Sequence, residues 1–172
     1  MTPAEDADNT VKAMRDHVII GGYGFAGREL AQALNKYTIP YVIVDLNVEN
    51  VRKASREAGD AYFGDVTSEN VLKKLGIENA REFVVLINDP SAAEHAVKVG
   101  RKIAPNLYIV VRTSYLLDIE PLLAAGADEV IPAEREAAVE VTSHVLSRHK
   151  ADSRQIVEHC SEIRTRSEEE NV

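Results

Sequence analysis

The sequence predicts an α/β fold in which helices cover both faces of a parallel sheet. Apolar segments of strand length alternate along the chain with segments whose apolar residues recur at helical spacing, which is the pattern of repeated βαβ units. Most strand segments are continuous apolar runs, as expected when both faces of a sheet are buried. With 172 residues, 45% of them apolar and 28% charged, the chain has the length and composition of one globular domain.

Six segments are predicted as strands, and they lie at His17–Gly21, Tyr41–Asp45, Ala61–Phe63, Phe83–Ile87, Tyr108–Arg112 and Glu129–Ile131. Parallel strands that alternate with helices in this way favour two mononucleotide-binding halves and the strand order 3-2-1-4-5-6. The sequence therefore predicts a Rossmann-like, doubly wound sheet of six parallel strands. A C-terminal helix at Ala133–His149 follows the sheet.

Capping and turn residues mark the ends of the shorter predicted helices. Thr67 is predicted to cap a helix at Ser68–Leu75, and Gly76 is predicted to end it. In the same way, Gly126 is predicted to end a helix that begins near Ser114.

Composition divides the chain into three parts. Residues 1–15 form an acidic N-terminal extension without the apolar core of a signal peptide. Residues 16–149 form the predicted nucleotide-binding domain, and residues 150–172 form a polar tail, predicted to be a frayed helix or a disordered segment. The single cysteine, Cys160, lies in this tail and excludes an intrachain disulfide, which suits a reducing cytosol.

Bulk properties also exclude two classes of function. A formal net charge of −8 provides no basic field for phosphate backbones, so we expect no nucleic-acid partner. The longest apolar runs have only strand length, so no segment is expected to span a bilayer. A membrane protein, if involved, would be a partner chain or a part outside this sequence.

The segment Gly22-Tyr23-Gly24-Phe25-Ala26-Gly27 follows a predicted strand and opens a helix. In such a loop the first glycine permits the tight turn, the second lets a pyrophosphate approach the backbone, and the third lets the helix pack close to the strand. Free N–H groups at the helix start then face the anion. A GxGxxG pattern alone is weak evidence, and an ordinary glycine-rich turn remains an alternative.

Asp45 ends the second predicted strand, eighteen positions after Gly27. An acid at this place accepts hydrogen bonds from ribose hydroxyls and repels a 2′-phosphate. The pattern therefore favours NAD(H), AMP, ADP or ATP as cofactor over NADP. The alternative is that Asp45 only caps the helix that starts near Val48.

Further candidates follow the other strands, at the edge of the sheet where open α/β folds bind ligands. Asp65 is a candidate acceptor of a hydrogen bond from the adenine amino group, and the alternative is that it only stabilises a turn. Asn88 and Asp89 would line the second half of a dinucleotide site, although Pro90 equally indicates a plain helix start. Arg112 is a candidate phosphate contact or a solvated arginine, and Glu134 is more consistent with a helix N-terminus.

The sequence contains no recognisable catalytic constellation. The five histidines are scattered, and no tyrosine is followed four residues later by a lysine. The nucleotide-binding halves use nearly the whole chain and leave no substrate domain, which favours a sensor over an enzyme. The alternatives are a small NAD-dependent oxidoreductase that uses His95 or Asp89 for proton transfer, and a scaffold with a decayed cleft, against which the intact glycines and Asp45 argue.

From about Asp16 to His149 the chain resembles the RCK N-terminal domain, also called TrkA-N or KTN. The resemblance rests on five segments: His17–Gly27, Val44-Asp45, Gly64–Thr67, Val71-Leu72 with Gly76-Ile77, and Gly126–Pro132. Together these segments are far more specific than the glycine loop alone.

The resemblance implies a regulatory domain of prokaryotic potassium channels and potassium or cation/proton transporters. Such domains bind NAD(H), AMP, ADP or ATP, lie in the cytoplasm at the inner face of the membrane, and usually form homodimers. The implied dimer seam is the apolar face of Ala138–Leu146. The alternative is that this face packs on the sheet of the same chain. The implied nucleotide contacts are Gly22, Tyr23, Gly24, Phe25, Ala26, Gly27, Asp45, Leu46, Asp65, Val66, Asn88, Asp89 and Arg112.

Two departures from the family pattern bear on function. Many members carry an arginine where this chain has Phe25, so that phosphate contact is lost unless Arg28 or Arg112 replaces it. The second RCK subdomain is missing. The chain therefore resembles the cytosolic end of an antiporter, an excised fragment or a separate subunit, and the sequence leaves these open.

Overall fold

The architecture is a parallel sheet covered on both faces by helices. A computed structural model describes residues 14–166. Its strands are Val18–Gly21 (β1), Tyr41–Asp45 (β2), Ala61–Phe63 (β3), Glu82–Val85 (β4), Tyr108–Thr113 (β5) and Glu129–Pro132 (β6). All adjacent strands pair in parallel, in the order β3-β2-β1-β4-β5-β6. The predicted fold class and strand order are confirmed, with strand ends that differ by up to two residues.

Seven α-helices connect and follow the strands in the described part of the chain. They are Phe25–Lys36 (α1), Val48–Glu57 (α2), Glu69–Lys74 (α3), Pro90–Ile103 (α4), Ile119–Ala125 (α5), Ala133–Arg148 (α6) and Ser153–Thr165 (α7). Short 3₁₀ turns at Ile77–Asn79 and Leu116–Asp118 precede β4 and α5. The second of these turns explains why α5 begins at Ile119 and not near Ser114, as the sequence predicted.

Two apolar layers hold the helices to the sheet. Consecutive residues of β1 point to opposite faces, so Ile19 lies in the layer beneath α4 and α5, and Ile20 in the layer beneath α1 and α2. Both side chains are fully buried. At Gly100 in α4, an added Cβ would lie 3.1 Å from the ring of Phe83, so the absence of a side chain allows α4 to pack closely on β4. This packing fixes the strand ends that carry the candidate site.

The predicted cap of the helix after β3 was wrong by one residue. Ser68 is the N-cap of α3, and its hydroxyl accepts the Val71 N–H. Thr67 is unsuited to that role because its N–H and its hydroxyl both donate to Asp65, at 2.8 and 2.7 Å. The left-handed conformations of Gly76, with φ of 72°, and Gly126, with φ of 112°, confirm the two predicted helix ends.

The segment after α6 forms a helical hairpin with it. Asp152 caps α7 by accepting the N–H groups of Arg154 and Gln155. Ile156 and Cys160 of α7 are buried against Val139 of α6. Most of the segment predicted as a polar tail is therefore a docked helix, since its few apolar residues share one face. Residues 1–13 and 167–172, which include most of the N-terminal extension and the acidic end of the tail, lie outside the described residues.

A buried histidine at the start of β1 predicts a pH-dependent stability. His17 is fully buried, and its Nε2 lies 2.8 Å from the carbonyl oxygen of Leu75. Its Nδ1 is buried without a partner among the described residues, and burial lowers the pKa of the imidazole below its usual value. Below about pH 6.5 the imidazole of His17 therefore binds a proton in the unfolded chain but stays neutral in the folded chain until a lower pH.

We expect the free energy of unfolding to fall as the pH is lowered below about 6.5, by up to about 1.4 kcal/mol per pH unit from this one group. Urea unfolding between pH 7.5 and 5, followed by circular dichroism, measures this slope. In His17→Gln, which cannot titrate, the slope should be smaller by one proton. Parallel pH profiles for the two proteins would contradict the assignment.

Candidate nucleotide-binding site

A cleft of about 550 Å³ opens at the carboxyl ends of β1, β2, β4 and β5. Its position is the point where the strand order reverses between β1 and β4, at which open α/β sheets bind ligands. The cleft is lined by Gly22, Gly24, Phe25, Ala26, Gly27, Asp45, Asn50, Leu86, Ile87, Asn88 and Arg112. Eight of the thirteen residues predicted from the sequence thus lie together around one cavity.

The loop between β1 and α1 requires glycine at two positions. Gly22 has φ of 108°, and a Cβ added to it would lie 3.2 Å from the backbone carbonyl carbon of Leu86. A Cβ at Gly27 would lie 2.1 Å from the carbonyl oxygen of Gly22, a distance that no real contact allows. By contrast, a Cβ at Gly24 would have no neighbour within 4 Å. Gly24 therefore borders open space, where a phosphate can approach the backbone.

The start of α1 provides the donors for an anion in that space. Gly24 is the N-cap of α1 and offers no side-chain hydrogen bond to the first turn. The N–H groups of Phe25, Ala26 and Gly27 belong to this first turn, where N–H groups have no partner within the helix. Together with the positive end of the helix dipole they suit a phosphate group.

Asp45 connects the glycine loop to the start of α2. Its Oδ2 accepts the backbone N–H of Tyr23 at 2.7 Å, and its Oδ1 accepts the backbone N–H of Asn47 at 2.7 Å. The N-cap of α2 is Asn47, whose side chain accepts from Glu49 and Asn50. The alternative that Asp45 caps this helix is therefore incorrect, and its carboxylate faces the cleft as the ribose assignment requires.

Tyr23 contributes its backbone and not its ring to this region. The side chain is 3% exposed and packs in the apolar layer beneath α1 and α2. Burial, together with the negative charge of Glu57, raises the pKa of the phenol. Because the ring points into the core, Tyr23 acts on the cleft only through its N–H bond to Asp45.

Arg112 and Asn88 line the cleft together beyond the ends of β4 and β5. Arg112 Nη1 donates to Asn88 Oδ1 at 2.9 Å, which holds the guanidinium at the carboxyl end of β5. This is the one cationic side chain in the cleft lining. Arg28 lies over the ring of Phe25, with its guanidinium carbon 5.9 Å from the ring centre, and does not line the cleft.

Besides Tyr23, four predicted contacts lie outside the cleft lining. Leu46 is 61% exposed beside Asp45, whereas Val66 is buried in the core. Asp65 accepts both bonds from Thr67 described above, and Asp89 caps α4 by accepting the N–H of Ala92 at 2.8 Å. For the two aspartates the structure therefore shows the turn and capping roles that the sequence had left as alternatives.

Sequence reasoning missed three residues of the lining. Leu86 and Ile87 follow β4 directly, so the rule that ligands bind at strand ends would have included them. Asn50 lies on α2 and donates from its side-chain amide to Asp45 Oδ2 at 3.0 Å. Asn50 can be identified only by knowing which face of α2 is turned toward Asp45, and no short sequence motif indicates that face.

Residues proposed for other chemistry lie away from the cleft. His95 is exposed on α4, and Glu134 accepts the N–H of Leu116 at 3.1 Å, so it fastens the turn before α5. Within residues 14–166, no group of histidine, cysteine or acidic side chains is arranged to hold a metal ion. None of the described helices is long and apolar enough to cross a membrane.

Residues 18–133 match the TrkA-N domain family. Among curated proteins, the chain is 34% identical over 143 residues to a putative K⁺ efflux antiporter KefB of Alkalimonas amylolytica, covering 83% of this chain and 22% of that protein. It is 30% identical over 123 residues to potassium channel protein 1 of Methanocaldococcus jannaschii, covering 70% of this chain and 37% of that protein. The chain thus spans well under half the length of these relatives.

Two solved structures share the fold. The AMP-bound Kef C-terminal domain of Shewanella denitrificans superimposes with a TM-score of 0.74 at 23% identity, covering 84% of this chain and 88% of that one. The GsuK channel bound to NAD gives a TM-score of 0.71 at 21% identity, covering 76% of this chain and 24% of that one. The matched segment 18–133 contains the glycine loop, Asp45 and all six strands described above. The chain therefore belongs to the TrkA-N domain family.

Proposed function

We propose that this chain is a nucleotide-sensing regulatory domain of a potassium channel or a potassium or cation/proton antiporter. The observation that carries the proposal is the open cleft in which the first turn of α1 and the carboxylate of Asp45 face the same space. Relatives named as potassium channels and K⁺ efflux antiporters support the transport context. On this proposal the domain lies at the cytoplasmic face of the membrane.

The proposed ligand is NAD(H), AMP, ADP or ATP. The first turn of α1 would hold the phosphates, Asp45 would accept a ribose hydroxyl, and its charge would disfavour a 2′-phosphate. Arg112 is the proposed cationic contact for further phosphates, since Phe25 offers none. Leu46, Asp65 and Val66 follow β2 and β3, and are proposed for the adenine end, outside the cleft as it stands in this structure.

A binding role is favoured over the oxidoreductase alternative by the positions of the candidate proton-transfer groups. His95 is exposed on α4, and Asp89 is engaged as the cap of that helix. A general acid or base must reach the reacting atom within a hydrogen bond or through one water. Since neither group lines the cleft, the proposal assigns the domain ligand binding and no catalysis.

A homodimer through α6 is part of the proposal. Val139 of α6 is covered by α7, whereas Val141 is 64% exposed and Val145 is 50% exposed. Ala138 lies on the same exposed side of the helix. The proposed seam is therefore the outward stripe of these three residues, since the inward face of α6 already has a partner.

We expect Val141→Asp to weaken dimerisation at least tenfold, because a carboxylate would be buried in an apolar seam without a partner. Sedimentation equilibrium of the wild type and the variant measures this. Ile39→Asp is the matched control, because Ile39 is also an exposed apolar residue but lies at the amino-terminal edge of the sheet. Weak dimers form at about 100 µM. A wild type that is monomeric at this concentration, or unchanged dimerisation in Val141→Asp, would refute the proposed dimer seam.

The regulatory part of the proposal requires a ligand to change the domain beyond its own contacts. Hydrogen exchange with and without saturating AMP or NAD⁺ tests this requirement. We expect protection to change in the glycine loop and also in α6, which follows β6 directly and is joined to the turn after β5 through Glu134. Changes confined to the cleft lining would leave a binding domain without a switch and contradict the sensing role.

A further inference from the structure

Asn50 occupies a defined position beside the proposed ribose site. It is the third residue of α2, and its backbone N–H is directed to the capping side chain of Asn47. Its side-chain amide donates to Asp45 Oδ2 at 3.0 Å and also lines the cleft. Because the nitrogen must face the carboxylate, the amide oxygen of Asn50 is the end left to the cleft.

The hydrogen-bond capacity of Asp45 shows what Asn50 changes. An ionised carboxylate accepts about four hydrogen bonds, roughly two on each oxygen. Oδ2 already accepts from the backbone of Tyr23 and from Asn50, whereas Oδ1 accepts from the backbone of Asn47 alone. Asp45 therefore has room for one further donor, on Oδ1.

A ribose presents two vicinal hydroxyl groups, and a carboxylate with one remaining acceptor position binds only one of them. The amide of Asn50 lies against the same carboxylate and carries the complementary groups, a carbonyl oxygen and a second N–H. The second hydroxyl can therefore pair with the amide while the first pairs with Asp45.

Resting on the proposed function, we propose that Asn50 is a specificity residue that, with Asp45, recognises the vicinal diol of a ribonucleotide. Asn50 also acts as a positioning residue, since its amide holds Asp45 Oδ2 and leaves Oδ1 for the ligand. A nucleotide that lacks either hydroxyl would leave one member of the pair without its partner. The pair thus selects ribonucleotides over their deoxy forms.

Calorimetric titration with AMP, 2′-deoxy-AMP and 3′-deoxy-AMP tests this proposal. The wild type should prefer AMP over each deoxy form by about tenfold, the cost of one unpaired polar group. In Asn50→Ala the affinity for AMP should fall about tenfold, and the preference over one deoxy form should fall to near one. Asn35→Ala is the matched control, because Asn35 is exposed, its side chain bonds the Ala58 carbonyl oxygen and the Tyr41 hydroxyl, and it lies outside the cleft.

Asn50→Asp separates recognition from folding. The substitution keeps the size of the side chain and suits the first turn of a helix. A melting curve checks that the variant is folded, since its new carboxylate lies against that of Asp45. The substitution replaces the donor that faces Asp45 by a second carboxylate, and AMP affinity should therefore fall at least as far as in Asn50→Ala.

The outcomes distinguish this inference from the function on which it rests. Reduced AMP affinity with lost diol discrimination in Asn50→Ala, and no such change in Asn35→Ala, supports the pair. Wild-type discrimination retained in both Asn50 variants overturns the role of Asn50 and leaves the proposed function intact. If the wild type binds none of AMP, NAD⁺, ADP and ATP, the proposed function fails and the inference fails with it.

Discussion

Replacing Asp45 by alanine is expected to lower nucleotide affinity by about 100-fold. The carboxylate holds the Tyr23 and Asn47 N–H groups at 2.7 Å each and leaves one acceptor position for a ribose hydroxyl. Hydrogen bonds to a charged group contribute about 1.5–3 kcal/mol, so loss of the ribose contact alone costs about 10- to 150-fold. The variant also releases the glycine loop from the start of α2, which loosens the donors around the phosphates.

Two further variants make the Asp45 experiment specific. Tyr23→Phe keeps the backbone N–H that Asp45 accepts, so its nucleotide affinity should equal that of the wild type. Asp45→Asn keeps the size but exchanges an acceptor for a donor, and it should bind nearly as poorly as Asp45→Ala. Calorimetry with AMP and NAD⁺ measures all three. Wild-type affinity in Asp45→Ala would remove Asp45 from the site.

Gly27→Ala is expected to have the largest effect on stability. The added Cβ would lie 2.1 Å from the carbonyl oxygen of Gly22, and Ile20 behind it is fully buried. The start of α1 must therefore move away from β1, which costs about 3 kcal/mol, at the upper end for overpacked sites. Chemical unfolding measures this loss, and nucleotide binding should be lost with it because the N–H groups move.

Gly24→Ala provides the matched comparison in the same loop. Gly24 has φ of −76° and ψ of −159°, an extended conformation open to any residue, and a Cβ there meets nothing within 4 Å. Its stability should stay within about 0.5 kcal/mol of the wild type, as for a surface position. Its nucleotide affinity should nevertheless fall, since the methyl group occupies the space proposed for the phosphate. Equal stability losses in both variants would contradict the geometry of this loop.

The sequence predicted the sheet well because burial on both faces leaves a clear signal. The continuous apolar run Tyr41–Val44, for example, lies within the observed strand β2, and the glycine loop fixes the first βα connection. The order of strands then follows from the right-handed βαβ connection and the two-half topology.

Acidic residues after strands were harder to interpret from the sequence. Asp45 ends a predicted strand, and Asp65 and Asp89 each follow one, yet of the three only Asp45 lines the cleft. The other two bind nearby backbone N–H groups at Thr67 and Ala92, which is the local bonding that makes aspartate common in turns and caps. Both roles occur within two positions of a strand end, and the direction of the carboxylate decides between them.

The C-terminal hairpin was not predictable for a different reason. Ile156, Cys160 and Ile163 recur at helical spacing, but charged residues between them give the segment a polar composition. Their burial depends on Val139 and Leu146 of α6, twenty or so positions earlier. A narrow apolar stripe becomes a docked face only when its partner helix is known.

The cleft is proposed to hold the adenylate unit shared by NAD(H), AMP, ADP and ATP. A crystal structure of the chain grown with AMP tests it most directly, because AMP is the part common to all of these ligands. In this crystal we expect a phosphate against the Gly24 end of α1 and a ribose hydroxyl within hydrogen-bond distance of Asp45 Oδ1. AMP bound at another surface with this cleft open, or in this cleft with its ribose turned away from Asp45 and Asn50, would show that the cleft is not the proposed adenylate site.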